Sequence, residues 1–286
     1  MEIQTKPLDP GLYFVATPIG AARDITLRAL DILASADVIA AEDTRTAKHL
    51  MQIHGITLGE RPVIAYHDHS APGLRDRIVA MIAGGKSVAY ASEAGTPLVA
   101  DPGFQLARAV IAAGLPVTTA PGPSAVLAAL TVSGLPSDRF LFAGFPPTAK
   151  GQRAKMLAEL AQIPATLVLY ESPKRVHRLL GELGDHFGKE RQAAVCRELT
   201  KRFEEVARGS LAELERDFED RAVKGEVVVL VDRAPAPVAD EQSLEAALRA
   251  ALPGRSVKDA AAEVAAALNL PRRKVYQEAL RLAGED

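Results

Sequence analysis

Leu12-Tyr13-Phe14-Val15-Ala16-Thr17-Pro18-Ile19-Gly20, then Leu27-Arg28-Ala29-Leu30-Asp31-Ile32-Leu33, then Val38-Ile39-Ala40-Ala41-Glu42-Asp43-Thr44-Arg45 is the stretch that decides the fold. Its first and third segments open with short, unbroken apolar runs, and the second is longer and amphipathic. A short apolar run with no polar alternation suits a strand buried on both faces, which is the situation of parallel sheets covered on each side by crossover helices. The same rhythm continues outward through Thr46 to His54 (helix), Val63 to Ala65 (strand), Leu74 to Ile82 (helix) and Val88 to Ala91 (strand). Phe104 to Ala113 (helix) and Val117 to Thr119 (strand) complete it. Residues 1–120 are therefore expected to form an α/β domain with a mostly parallel sheet.

Ala120-Pro121-Gly122-Pro123-Ser124 interrupts that rhythm, because two prolines cannot continue a central strand, and it marks a domain junction. Strands then crowd together at Phe140 to Ala143, Thr166 to Tyr170, Ala193 to Arg197, Glu204 to Arg208 and Val227 to Val231. With helices near Lys155, Val176 and Leu214, residues 121–233 read as a second α/β domain with a mixed sheet. The Pro/Ala-rich Ala234-Pro235-Ala236-Pro237 opens a linker and a small helical appendage over 234–286, with helical pattern at Leu244 to Leu252, Val257 to Leu268 and Lys274 to Leu282. Within it Asn269-Leu270-Pro271 makes a tight turn and Arg272, Arg273 and Lys274 open the last helix, the outline of a helix-turn-helix. A helical cap packing on the body or on a partner subunit fits the same pattern, and both readings stay open.

Composition narrows the class. A chain of 286 residues that is 48% hydrophobic can bury a large core and is long enough for two domains. Cys196 is the single cysteine, so no intramolecular disulfide is possible, and no secretory leader pattern opens the sequence; a cytoplasmic protein is expected. Apolar runs fall short of the ~20 residues of a spanning helix, so no membrane segment is expected. The formal charge of −2 does not announce a nucleic-acid partner, and any RNA contact must come from local Arg/Lys clusters.

In open parallel sheets ligands gather beyond the carboxyl ends of the strands. Five consecutive strands here end in loops rich in Gly, Pro and polar groups: Thr17-Pro18-Ile19-Gly20, Glu42-Asp43-Thr44-Arg45, Tyr66-His67-Asp68-His69, Ser92-Glu93-Ala94-Gly95-Thr96-Pro97 with Asp101-Pro102-Gly103, and Pro121-Gly122-Pro123-Ser124. Taken singly each reads more readily as a turn than as a site, and Asp43 with Arg45 more readily as a surface ion pair; their common edge is what points to a site. His67 and His69 diverge in an extended segment, so no metal site is expected. Neither Gly-x-x-x-x-Gly-Lys-Ser/Thr nor Gly-x-Gly-x-x-Gly is present, and Ser124 lacks a nucleophile-elbow context, which disfavours ATP, NAD and serine hydrolysis.

With these blocks in place, the sequence resembles the ribosomal RNA small subunit methyltransferase I family, of the tetrapyrrole methylase superfamily. The resemblance is carried by Leu12 to Gly20, Asp24-Ile25-Thr26-Leu27-Arg28-Ala29-Leu30, Ala41-Glu42-Asp43-Thr44-Arg45, Glu93 to Pro97, Asp101-Pro102-Gly103 and Pro121 to Ala125. Further on it includes Gly134 to Phe140, Tyr170-Glu171-Ser172, Arg197-Glu198-Leu199-Thr200-Lys201 and Lys224-Gly225-Glu226. It implies two α/β domains with S-adenosyl-L-methionine in the cleft between them, a homodimer, and transfer of a methyl group to the ribose 2′-oxygen of a decoding-centre cytidine in 16S rRNA of the small ribosomal subunit. It implies cofactor contacts from Pro18, Ile19, Gly95, Thr96, Val99, Ser124, Ala125, Glu171 and Leu199, and it raises the helical tail as an RNA contact. The sequence departs from the family pattern in two places: Ala21-Ala22 stands for Asn-Leu, and Glu93 for Asp. The Gly-x-Gly-Pro-Gly-Asp loop of tetrapyrrole methylases is replaced by Ala16 to Ala21, which favours an RNA substrate over a corrin or sirohaem.

A ribose hydroxyl needs a proton acceptor, so Asp43, Glu93 and Glu171 are candidate catalytic bases. Arg45 suits a phosphate or the donor's carboxylate, and Lys174, Arg175 and Arg178, with Lys201 and Arg202, are candidate RNA contacts. Lys174, His177 and Arg178 are expected on one helix face. A tryptophan in place of Gly95 is expected to fill the cleft and leave the fold intact. The competing readings are a methyltransferase acting on a tetrapyrrole and a non-catalytic ribosome-binding factor on the same fold.

Overall fold

Two five-stranded sheets carry the chain. The computed structural model describes residues 3–67, 70–234, 241–268 and 270–284. In the first sheet β1 (Gly11–Val15), β2 (Val38–Ala41), β3 (Val63–Ala65), β4 (Ser87–Ala91) and β5 (Val117–Ala120) lie in the order β3-β2-β4-β1-β5, every pair parallel. Helices α1 (Leu27–Ser35), α2 (Thr44–Ile53), α3 (Pro72–Ala83) and α4 (Phe104–Ala112) make the crossovers. Strand period two explains the packing. Leu12 and Phe14 of β1 join Tyr90, Ile78, Ile82, Leu106 and Val110 on the α3/α4 side, whereas Val15 joins Ile39, Leu30, Leu33 and Met51 on the α1/α2 side. β2 and β4 are buried along their whole lengths, as their unbroken apolar runs require.

The second sheet runs β6-β7-β10-β8-β9, built from β6 (Phe140–Gly144), β7 (Thr166–Glu171), β8 (Gln192–Arg197), β9 (Glu205–Ser210) and β10 (Val227–Val231). β6 pairs parallel with β7, and the other three pairings are antiparallel. It is accompanied by α5 (Ala125–Ser133), α6 (Lys150–Leu160), α7 (Val176–Phe187) and α8 (Leu211–Phe218). Helix α5 was not visible in the apolar pattern, because Ala125-Val126-Leu127-Ala128-Ala129-Leu130 carries no polar face to mark a period. It packs Val126, Ala129 and Leu130 against Val168, Ala194, Cys196, Val228 and Leu230 of the second sheet. Both sheets belong to one compact unit ending at Asp232.

A second unit comprises Gln162–Pro164 and Arg233–Asp286. Its helices α9 (Glu241–Ala251), α10 (Val257–Ala267) and α11 (Arg272–Ala283) close on a core of their own formed by Leu244, Leu248, Val264, Val275, Ala279 and Leu282. Ser256 caps α10, accepting the Asp259 N–H at 3.1 Å, and Arg272, Arg273 and Lys274 are exposed at the start of α11. Asn269 of the expected turn and most of the Pro/Ala linker lie outside the described residues.

Candidate functional site

A cavity of about 610 Å³ opens where the carboxyl ends of β1, β4 and β5 meet the ends of β7 and the loops that follow β8 and precede β10. That volume is in the ordinary range for a small-molecule site, about 300–1,000 Å³. The first sheet contributes Pro18, Ile19, Gly20, Glu93, Gly95, Thr96, Val99, Ala100 and Asp101, and the entry to α5 adds Ser124 and Ala125. The second sheet contributes Phe145, Tyr170, Glu171, Ser172, Lys201 and Gly225 to Val228. The strand-end loops read from sequence after β1, β4 and β5 thus converge on one space.

The walls are held by close backbone contact. Thr17 and Gly95 exchange N–H···O bonds of 2.9 and 3.0 Å, the Ser92 hydroxyl donates to the Gly95 carbonyl at 2.6 Å, and Thr96 donates to the Pro123 carbonyl at 2.8 Å. Gly95 has φ +86°, and an added Cβ would stand 3.2 Å from Ile19. A side chain there strains the backbone before it fills anything, so a Gly95→Trp variant is expected to disturb the fold, contrary to the expectation from sequence. At Gly20 a Cβ would stand 2.5 Å from the Thr200 hydroxyl and 2.9 Å from the Leu199 carbonyl; only glycine admits the 199–201 loop.

Backbone strain collects in the same place. Among the described residues the non-glycine residues with left-handed φ are Leu98, Ala100, Glu198 and Thr200, two in each of two loops that bound the cavity. Such a conformation costs of order 1–3 kcal/mol per residue and persists where neighbours enforce it. Glu198 accepts from Lys201 Nζ and from the Glu226 N–H, both at 3.0 Å, and the Thr200 hydroxyl accepts the Ala21 N–H at 3.0 Å.

Asp101 is the electrostatic centre of the site. Burial, followed by the negative charges of Glu42 and Glu93, pushes its carboxyl up to about 7. Tyr170 is pushed up to about 12, first by burial and then by Asp101. The sequence placed Asp101 in a strand-end loop without a chemical role; the signal that singles it out, desolvation beside two other carboxylates, exists only after folding.

The three carboxylates proposed as bases separate. Glu93 lines the cavity and is exposed. Asp43 is the N-cap of α2: its carboxylate accepts the Arg45 N–H at 2.7 Å and pairs with the guanidinium at 2.9 Å. The Arg45 side chain, then its backbone N–H, hold that carboxyl at about 2, too acidic to take a proton near neutrality, and Asp43 is not among the cavity walls. Glu171 lines the cavity but is buried and committed, accepting from the Ser172 N–H at 2.7 Å and from Arg175 at 2.6 and 2.7 Å. It is an anchor for the β7 end, and Arg175, read as an RNA contact, is its counter-ion.

Of the remaining expected contacts, Pro18, Ile19, Gly95, Thr96, Val99, Ser124 and Ala125 line the cavity. Leu199 does not; it is buried behind the wall with Ile19 and Val126. Lys201 is a wall residue bridging Glu198 and Glu226, at 3.0 and 2.8 Å, in place of an open RNA contact. Arg45 has a side chain 89% exposed. Lys174, Arg178 and Arg202 are exposed, but Lys174 stands in the turn before α7 and cannot share the helix face of His177 and Arg178. Asp68 and His69 lie outside the described residues; among the described ones no group of three His, Cys, Asp or Glu is placed to hold a metal.

The family model for Tetrapyrrole (Corrin/Porphyrin) Methylases matches residues 11–215, and a model described as the RsmI C-terminal HTH domain matches 238–283. A ribosomal RNA small subunit methyltransferase I of Mesorhizobium japonicum is 45% identical over 98% of this chain and 95% of its own length. The protein of the same name from Pseudomonas aeruginosa is 41% identical over 96% and 98%. The chain belongs to the ribosomal RNA small subunit methyltransferase I family. Among solved structures, diphthine synthase aligns with TM-score 0.59 and 17% identity over 77% of this chain and 89% of its own. The Thermus thermophilus uroporphyrin-III C-methyltransferase complexed with S-adenosylhomocysteine aligns with TM-score 0.52 and 20% identity over 77% and 96%. These share the fold of this chain. The three-helix unit falls in the stretch matched by the second model.

Proposed function

We propose that this chain transfers a methyl group from S-adenosyl-L-methionine to the ribose 2′-hydroxyl of a decoding-centre cytidine in 16S rRNA. The observation that carries the reading is the single cavity bounded by strand-end loops of both sheets. Its chemistry suits the donor. Pro18, Ile19, Val99, Ala125 and Val228 offer apolar surface, Thr96 and Ser124 offer hydroxyls, and Glu93 and Asp101 offer negative charge toward a sulfonium. Gly20 and Gly95 keep the walls free of side chains where backbone must approach closely. When bound, the donor supplies an already activated methyl group, so the protein's work is alignment, exclusion of water and removal of one proton.

Asp101 is the best placed group for that proton. At neutral pH it is poised between its two forms, and its carboxylate can accept a proton from a hydroxyl without being so stable an anion that transfer stalls. Glu93, exposed beside it, raises its basicity by repulsion. Glu171 and Arg175 fix the β7 end and with it Tyr170, and Lys201 binds the Glu198 loop to Glu226. Arg45, Lys174, Arg178 and Arg202 are among the exposed cations and could meet RNA phosphates. The working form in this account is a cytoplasmic homodimer acting on the small ribosomal subunit, with the α10/α11 unit as an RNA contact; the family resemblance supports these parts.

The test offers labelled S-adenosylmethionine with either small-subunit RNA from cells lacking the protein or a uroporphyrin-type tetrapyrrole. Transfer to RNA alone supports the proposal. Transfer to the tetrapyrrole, or donor binding without transfer, favours the competing readings.

A further inference from the structure

Phe145 is a large apolar side chain left 55% exposed while lining the cavity. The local structure puts it there. Pairing of β6 with β7 shifts register between Phe142 and Gly144, so Ala143 is an extra residue, and Gly144 turns the strand with φ +70°. Such a bulge re-aims the residues that follow it. Two prolines, Pro146 and Pro147, stiffen the exit. Arg153, 3% exposed, then donates to the carbonyls of Pro147 and Thr148 at 3.0 and 2.8 Å while its fork grips Glu182 at 2.5 and 2.7 Å. The rings of Phe145 and Tyr170 meet edge to face, centroids 5.4 Å apart and planes at 65°, and Tyr170 also meets Phe142 at 4.8 Å.

A ring held out of the core by a bulge, two prolines and a buried guanidinium stays open to whatever enters the cavity. The contrast with the rest of the lining indicates what meets it. Ile19, Gly95 and Val228, the buried part of the wall, can enclose a donor that must be kept from water, whereas an incoming acceptor first meets the exposed part. The acceptor of the proposed reaction is a nucleotide, and a nucleotide drawn from folded RNA loses the stacking of its base. We infer that Phe145, supported by Tyr170, is a stacking platform for the unstacked nucleobase of the RNA substrate, a specificity contact that holds the ribose over the cavity. This rests on the proposed reading of the site.

The test uses the full chain, S-adenosylmethionine and small-subunit RNA from cells lacking the protein, with Phe145→Ala, Phe145→Leu and Phe145→Trp. Stacking on a protein ring predicts that the alanine variant loses roughly 5- to 150-fold in kcat/KM for RNA, that leucine, which restores bulk without a π-face, remains low, and that tryptophan recovers most of the activity. Donor affinity by calorimetry should stay within about twofold of the parent in all three. Recovery by leucine would assign Phe145 to packing, a parallel loss of donor affinity would assign it to the donor's adenine, and an unaffected alanine variant would leave it no role; each overturns the inference while the parent's RNA methylation still stands. A parent chain that transfers nothing to RNA overturns both.

Discussion

Replacing Asp101 by asparagine keeps the shape of the side chain and removes the group proposed to take the substrate's proton. With a midpoint at about 7, set by burial and by the charges of Glu42 and Glu93, about a tenth of the chains carry an ionised Asp101 at pH 6 and about nine tenths at pH 8. If only the ionised form accepts the proton, kcat/KM for the donor, which reports the donor-free protein, should rise about tenfold across that interval and then level. Asp101→Asn should abolish the step and lower the rate by on the order of 10²–10⁴, the usual contribution of a positioned base. Glu93→Gln removes one of the repelling charges and should move the step to lower pH while leaving it in place. Methyl transfer to RNA, assayed from pH 5.5 to 8.5 with donor binding checked separately, reads all three. A flat parent profile, or an asparagine variant within threefold of the parent at every pH, would refute the assignment.

Asp101 also makes a stability prediction: between its ordinary value of 3.8 and about 7 the folded chain keeps a proton that the unfolded chain has lost, so stability falls as pH rises through that window, and Asp101→Asn should flatten the fall in thermal melts. Asp43→Ala removes the α2 cap and should lower the midpoint of a denaturant titration slightly while activity stays within a few-fold; a large loss of activity at unchanged donor affinity would restore Asp43 as a base. Arg175→Ala leaves the buried Glu171 carboxylate without its counter-ion and should destabilise by about 3 kcal/mol, a loss that Glu171→Gln in the same chain partly reverses. Gly20→Ala sets a methyl against Thr200, Lys201 and the Leu199 carbonyl and should cost about 1–3 kcal/mol together with donor affinity; a variant of parental stability that still binds donor would contradict the close approach.

How much of this could be read in advance depends on the range of the interaction. The bounds of β2 and β10 coincide with their apolar runs, since a strand buried on both faces writes its length directly into composition; those of the edge strand β3 coincide as well, although it is only half-buried. Convergence of the loops after β1, β4 and β5 was legible too, because parallel topology forces their carboxyl ends to one edge. Roles were harder. Asp43 and Asp101 are equally acidic in sequence, but Asp43 sits two residues before an arginine and is drawn into a cap, whereas Asp101 is made basic first by burial and then by the charges of Glu42 and Glu93, all of which folding supplies. Phe145 went unnoticed because its exposure follows from a bulge in β6 and from Arg153, neither of which has a local signature. Lys174 falls just short of the helix, which begins at Val176, and sequence spacing does not fix a helix start to within two residues.

In the proposed reaction one cavity delivers a methyl group to a ribose oxygen, and alkaline digestion of the product RNA reads that transfer. RNA is cleaved by hydroxide through the 2′-oxygen, so a nucleotide methylated there blocks its own cleavage. Small-subunit RNA labelled by this chain with tritiated S-adenosylmethionine and digested to completion in alkali should yield its label in a resistant dinucleotide carrying cytidine. Label recovered in mononucleotides, which would put the methyl group on a base, or no label in RNA at all, would contradict the account.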